Sequence, residues 1–145
     1  MIYHVLNRAN ARMTIFEKEE DFKSFPVQND DHFYTVCRYV ERNALRANLV
    51  KSADDWRWNS LHIWKHGTAE QKASLLCDWP LPRRRSWLKH VNNPLTEAEL
   101  NAIRKSIKRG CPYGTEQWSK RKVKQLGLES TVRPRGRPRK LENGS

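Results

Sequence analysis

The chain has 145 residues, with 28 Lys+Arg against 16 Asp+Glu, a formal charge of +12 and a pI near 10.0. A mean hydropathy of −0.90 and the lack of any apolar run of spanning length argue against a membrane-embedded class, and that charge favours a polyanionic partner. Cys37, Cys77 and Cys111 are widely spaced and no signal-peptide pattern opens the chain, so reduced structural thiols in a cytoplasmic protein are expected.

Ile2 to Leu6 and Met13 to Phe16 read as two short strands around the polar turn Asn7 to Arg12. Glu17 to Asp21 reads as an acidic turn that Phe25-Pro26 breaks. His4 is expected to be a packing residue.

The spacing then predicts a helix over about 30–47. Asn29, Asp30 and Asp31 supply N-cap oxygens, and Phe33, Val36, Cys37, Val40, Ala44 and Ala47 recur at helical spacing to make one apolar face. His32, Thr35, Tyr39, Arg42, Asn43 and Arg46 fall on a neighbouring polar stripe, which places Tyr39 among cations. Two readings of Tyr39 stay open. It is a phenol at the edge of the core, or it is a nucleophile. With a free pKa of about 10, a nucleophilic phenol needs neighbouring positive charge or a metal-bound electrophile. Arg42 and Arg46 could hold a phosphate beside it, and Asn43 could give an oxygen to a hard cation.

Farther on, Trp58 is expected in the core, and a short helix is expected from about Asn59. Arg57 and Lys65 lie among the indoles of Trp56, Trp58 and Trp64, an arrangement that could also stack on unpaired bases. His62 and His66, one turn apart, read as surface histidines without a third ligand. Thr68 to Gln71 and Thr96 to Glu99 are capping-box patterns, hence helix starts. Arg83, Arg84 and Arg85 are either a solvated face or phosphate contacts. Thr115 caps a helix over Glu116 to Leu126, with Trp118, Val123 and Leu126 on one side, Lys120, Arg121, Lys122 and Lys124 largely on the other, and Gly127 just past its end. Two helices joined by a tight turn admit a helix-turn-helix reading. In the tail, Arg133, Pro134, Arg135, Gly136, Arg137, Pro138, Arg139 and Lys140 resemble an AT-hook. Its arginines enter a narrow A·T-rich minor groove over a side-chain-free glycine; the alternative is a disordered basic tail without sequence preference.

Four blocks resemble one family in its order. Cys37-Arg-Tyr-Val-Glu-Arg-Asn-Ala-Leu-Arg-Ala-Asn-Leu-Val50 resembles the nucleophile helix of the REP-associated tyrosine transposases, a branch of the HUH single-tyrosine transposases. Tyr3 to Phe16 is similar to that family's opening hairpin, Trp56-Arg-Trp-Asn-Ser-Leu61 to its Trp-x-Trp-x-Ser segment, and Gly127 to Lys140 to its basic C-terminus. The family's His-hydrophobic-His pair is missing: no His-x-His occurs among His4, His32, His62, His66 and His90, and the join lies near Glu20-Asp-Phe-Lys-Ser24.

The resemblance implies an α+β fold, the remnant of a ferredoxin-like HUH transposase. It would be mostly helical, with one N-terminal hairpin, a truncated transposase domain over 1–66, a basic helical extension over 67–128 and a disordered tail over 129–145. In intact relatives a tyrosine at the position of Tyr39 attacks a single-strand phosphodiester beside a hairpin and forms a 5′-phosphotyrosine. The His pair and an Asn at the position of Asn43 hold Mg²⁺ or Mn²⁺ there. One amide oxygen cannot fix a divalent cation, so an incomplete metal site and no cleavage by this chain alone are expected. The expected partners are DNA, as a single-stranded hairpin or an A·T-rich duplex, and a second copy or an intact relative that completes the site. A nucleoid location follows from the first of these. The alternatives are a non-catalytic DNA-binding regulator and a decayed gene product with an incomplete core.

Overall fold

A computed structural model of the chain describes residues 2–7 and 22–134, with side chains from Ser24 onward. The described residues are mostly helical. Strands β1 (Ile2–Asn7) and β2 (Phe22–Val27) pair antiparallel, with Ile2 opposite Val27 and Asn7 opposite Phe22. Among the described residues eight helices follow: α1 (Asp31–Glu41), α2 (Asn43–Arg46), α3 (Ser60–His66), α4 (Ala69–Leu75), α5 (Trp87–Asn92), α6 (Glu97–Arg109), α7 (Glu116–Leu126) and α8 (Glu129–Val132). A 3-10 turn, Ala53–Asp55, lies between α2 and α3.

Met13 to Phe16 and Glu17 to Asp21 lie outside the described residues; among the described ones, β1 pairs with the segment containing Phe25-Pro26. Proline has no N–H to give a ladder, which is why that segment reads as a break. The sheet has two strands among the described residues, so one side of β2 carries no such demand. The Pro26 carbonyl accepts from Tyr113 N at 2.9 Å, and Gln28 N donates to Tyr113 O at 2.9 Å, so the α6–α7 connection is tied to β2. This tie replaces the free-standing turn of a helix-turn-helix.

Local signals set the helix ends. Asp30 caps α1 by accepting from His32 N at 2.9 Å. Thr68 with Gln71 and Thr96 with Glu99 form capping boxes on α4 and α6, Thr115 caps α7, and Gly110 and Gly127 end α6 and α7 at φ +69 and +65.

One hydrophobic cluster joins Phe25 and Val27 of β2, Phe33, Val36 and Tyr39 of α1, Leu95, Leu100 and Ile103 around α6, and Tyr113. A second joins Ala53, Leu61, Trp87 and Val91, and Tyr34, Cys37 and Trp79 pack against both. The core therefore draws on both sides of the 66/67 boundary. Helix α1 is covered on two sides, which makes its buried surface wider than the predicted stripe. Phe33, Val36 and Ala44 are buried as expected, while Val40 and Ala47 are exposed and Arg38, Tyr39 and Glu41 are buried.

Candidate functional site

Tyr39 lies deeper in the core than the polar-stripe reading placed it. Its side chain belongs to the core cluster, and the residue is only 7% exposed. The guanidinium of Arg46 lies 4.6 Å from the ring centroid and donates through Nη2 to Asn43 Oδ1 at 2.7 Å. Tyr39, Asn43 and Arg46 are thus brought together. The phenol is largely closed to a bulky phosphodiester in this arrangement.

A divalent cation does not fit these residues. The single amide oxygen of Asn43 already accepts from a guanidinium, and a second cation at that oxygen would meet the charge of Arg46 at close range. Among the described residues, no group of three His, Cys, Asp or Glu side chains could hold a metal ion. The rings of His62 and His66 lie with centroids 5.0 Å apart and planes tilted by 45°, but His62 Nδ1 is engaged at 2.7 Å with the Asp54 carbonyl, and Lys65 reaches Asp54 Oδ2 at 2.6 Å.

Arg42 is a correction to the phosphate-binding set. Its Nη1 donates to the carbonyls of Val91, at 3.1 Å, and of Asn92, while Arg38 donates to those of Asn93, at 3.1 Å, and of Pro94. Both guanidinia close the C-terminus of α5, where carbonyls lack intrahelical partners and the helix dipole is negative.

Arg83 is a second correction. Its guanidinium lies 3.7 Å from the Trp79 ring centroid and 4.5 Å from that of Trp64, and Nη1 is 3.7 Å from Glu41 Oε1. That separation suits an ion pair and is too long for a hydrogen bond, so Nη1 is buried without one. Glu41 in turn accepts from Ser60 Oγ at 2.7 Å and from Trp87 Nε1 at 2.6 Å. Burial outweighs these contacts and pushes the Glu41 carboxyl above its ordinary range. The sequence reading missed this cluster. Its one signal was a carboxylate four residues after Cys37, on the side of the helix that packs. Arg84 is held too, by Asp31 at 2.6 Å and over the Tyr34 ring at 4.4 Å.

Other predicted contacts remain available. Arg85, Arg121 and Lys124 are exposed and have no acidic partner among the described residues. The same holds for Arg104, Lys105 and Lys108 on α6. Lys120 pairs with Glu116 at 2.6 Å on the surface, and Lys122 donates to Gln125 Oε1 at 2.8 Å. Exposed Arg133 accepts at its carbonyl from Arg109; Arg135, Gly136, Arg137, Arg139 and Lys140 lie outside the described residues.

Trp58 is exposed rather than in the core. It is 69% exposed, with the Arg57 guanidinium 4.3 Å from its ring centroid. No helix among the described residues is long and apolar enough to cross a membrane. Comparison with protein-family models, with curated proteins and with solved structures gives no match to this chain.

Proposed function

We propose that this chain is a DNA-binding protein related to the REP-associated tyrosine transposases, a remnant of their ferredoxin-like fold that binds DNA without cleaving it. The observation that carries the binding is the set of exposed cations without acidic partners on α6 and α7. Arg104, Lys105 and Lys108 project from a helix whose Leu100 and Ile103 are buried, and Arg121 and Lys124 from one whose Val123 is buried. Apolar anchors on one side and free cations on the other suit a phosphate backbone, which rewards fixed positive charge by releasing counterions. The basic tail adds to this attraction, and a nucleoid location follows from it.

The absence of cleavage rests on positive contacts. Asn43 gives its oxygen to Arg46, Arg42 is committed to α5, and the Tyr39 ring is packed in the core. Cleavage in this reading requires a second polypeptide, an identical copy or an intact relative, to bring metal ligands and open the site.

The test is incubation of the chain with a labelled hairpin oligonucleotide and Mn²⁺ beside Tyr39→Phe, run on native and denaturing gels. Binding by both proteins with no covalent band is the expected result. A covalent band that disappears in Tyr39→Phe would overturn the non-cleaving reading, and lack of binding at low salt would overturn the DNA-binding one.

A further inference from the structure

We propose that the groove between α1–α2 and the Trp56–Trp58 segment seats an unpaired nucleobase of single-stranded DNA, stacked against the exposed indole of Trp58. The inference rests on the DNA-binding reading and assigns it a second, base-contacting site. The groove holds about 500 Å³, within the roughly 300–1,000 Å³ of ordinary small-ligand sites. Its walls include Val40, Ala44, Leu49, Trp56 and Trp58. Val40 is 39% and Leu49 63% exposed, so this apolar surface faces solvent although the core lies on the other sides of α1.

Polar groups distinguish the occupant. Asn59 and Ser60 also line the groove, but the Asn59 amide donates to the carbonyls of Glu41 and Ala53 and accepts from His62 N, while Ser60 Oγ donates to Glu41. Asn43 is different. Its oxygen is held by Arg46, but its Nδ2 has no hydrogen-bond partner among the described residues, which leaves an amide donor at the groove wall. Such a donor fits a base carbonyl or ring nitrogen.

Charge points the same way. No acidic side chain lines the groove, and the nearby chain supplies Arg46, Lys51 and Arg57, none with an acidic partner among the described residues. An apolar peptide would use the walls and leave these cations idle. A nucleotide uses both, its π-face on the indole and its phosphates on the guanidinia. Arg57 lies over one face of the Trp58 indole, 4.3 Å from the ring centroid, so the base takes the other face. A duplex cannot use the site, because its base faces are already stacked.

The test is a fluorescence-anisotropy titration of the full chain with oligothymidylate, a length-matched abasic oligonucleotide and a duplex, using wild type, Trp58→Ala and Trp58→Phe. Wild type is expected to prefer oligothymidylate to the abasic strand. Trp58→Ala should lose about tenfold in oligothymidylate affinity, the scale of one lost stacking contact. It should bind the abasic strand and the duplex as wild type does, and Trp58→Phe should recover most of the loss. Equal wild-type affinity for thymidylate and abasic strands would overturn the base site alone, as would a uniform loss across all three probes in Trp58→Ala. No binding to any probe would overturn the DNA-binding reading and this site with it.

Discussion

The indole N–H of Trp87 donates to Glu41 Oε2 at 2.6 Å, joining a fully buried ring on α5 to a carboxylate that is 2% exposed on α1. Ser60 holds the other oxygen and Arg83 lies 3.7 Å beyond it. Burial is the largest influence on Glu41, and it raises the carboxyl above its ordinary value of 4.5. A carboxyl raised in the folded state binds more protons there than in the unfolded chain. Its contribution is complete below about pH 4.5 and is lost as pH rises through the folded value. The melting temperature of wild type minus that of Glu41→Gln should therefore fall as pH rises from 4 toward neutrality, about the range in which carboxyls of this kind titrate. A constant difference across that range would refute the assignment. Glu41→Ala should cost about 3–5 kcal/mol, because it strands Arg83 without its counter-charge.

Asp54 has the opposite sign. Burial acts against its ionisation, but hydrogen bonds from Lys65 and Ser52 outweigh that and hold the carboxyl well below its ordinary range. Its contribution is present above pH 3.8, the unfolded value, and is lost as pH falls through the folded one. Asp54→Asn should lower stability at pH 7 by about 1–3 kcal/mol, the usual cost of removing a buried charged partner. The deficit should shrink in acid. Paired denaturation curves at neutral and acidic pH check this, and a deficit that grows on acidification would contradict it.

These two carboxylates also show what the sequence could and could not convey. Caps are local: Asp30, Thr68, Thr96 and Thr115 act on N–H groups two or three residues away, so the helix starts were readable. The mainly helical class follows from the same signals. Burial of Glu41 and Arg38 was not readable, because hydropathy assigns charged side chains to solvent and most of their partners lie more than forty residues away, at Arg83, Trp87 and Asn93. Of the proposed contact residues, the exposed cations of α7 were legible from a simple helical period. Arg42 and Arg83 were not, because carbonyls and aromatic rings attract guanidinium as phosphate does. Trp58 was misplaced in the other direction, since an indole has the same hydropathy on a surface platform as in a core.

Arg42 and the pair Arg121 and Lys124 should separate stability from binding. Arg42→Ala removes a cation from the α5 C-terminus and should cost about 1 kcal/mol while leaving DNA affinity unchanged. The double substitution of Arg121 and Lys124 by Ala removes two exposed cations without structural partners, so its melt should match wild type. If both contact phosphates, the slope of log affinity against log salt should become shallower by about 2 on duplex DNA. An unchanged slope would remove α7 from the interface.

Thiol chemistry gives a check independent of DNA. Burial, with the Glu41 carboxylate close by, pushes the Cys37 thiol up to about 12, so it carries almost no thiolate at neutral pH. Cys37 is half-buried and Cys111 buried, with the Cys111 sulfur 3.7 Å from Ser106 Oγ, whereas Cys77 is exposed. Ellman's reagent at pH 8 should therefore label one thiol of the three quickly, lost in Cys77→Ser, and the other two only on denaturation. Fast labelling of all three in the native protein would mean that α1 is not covered on both sides, which would withdraw the buried setting of Glu41 together with the pH dependence argued from it.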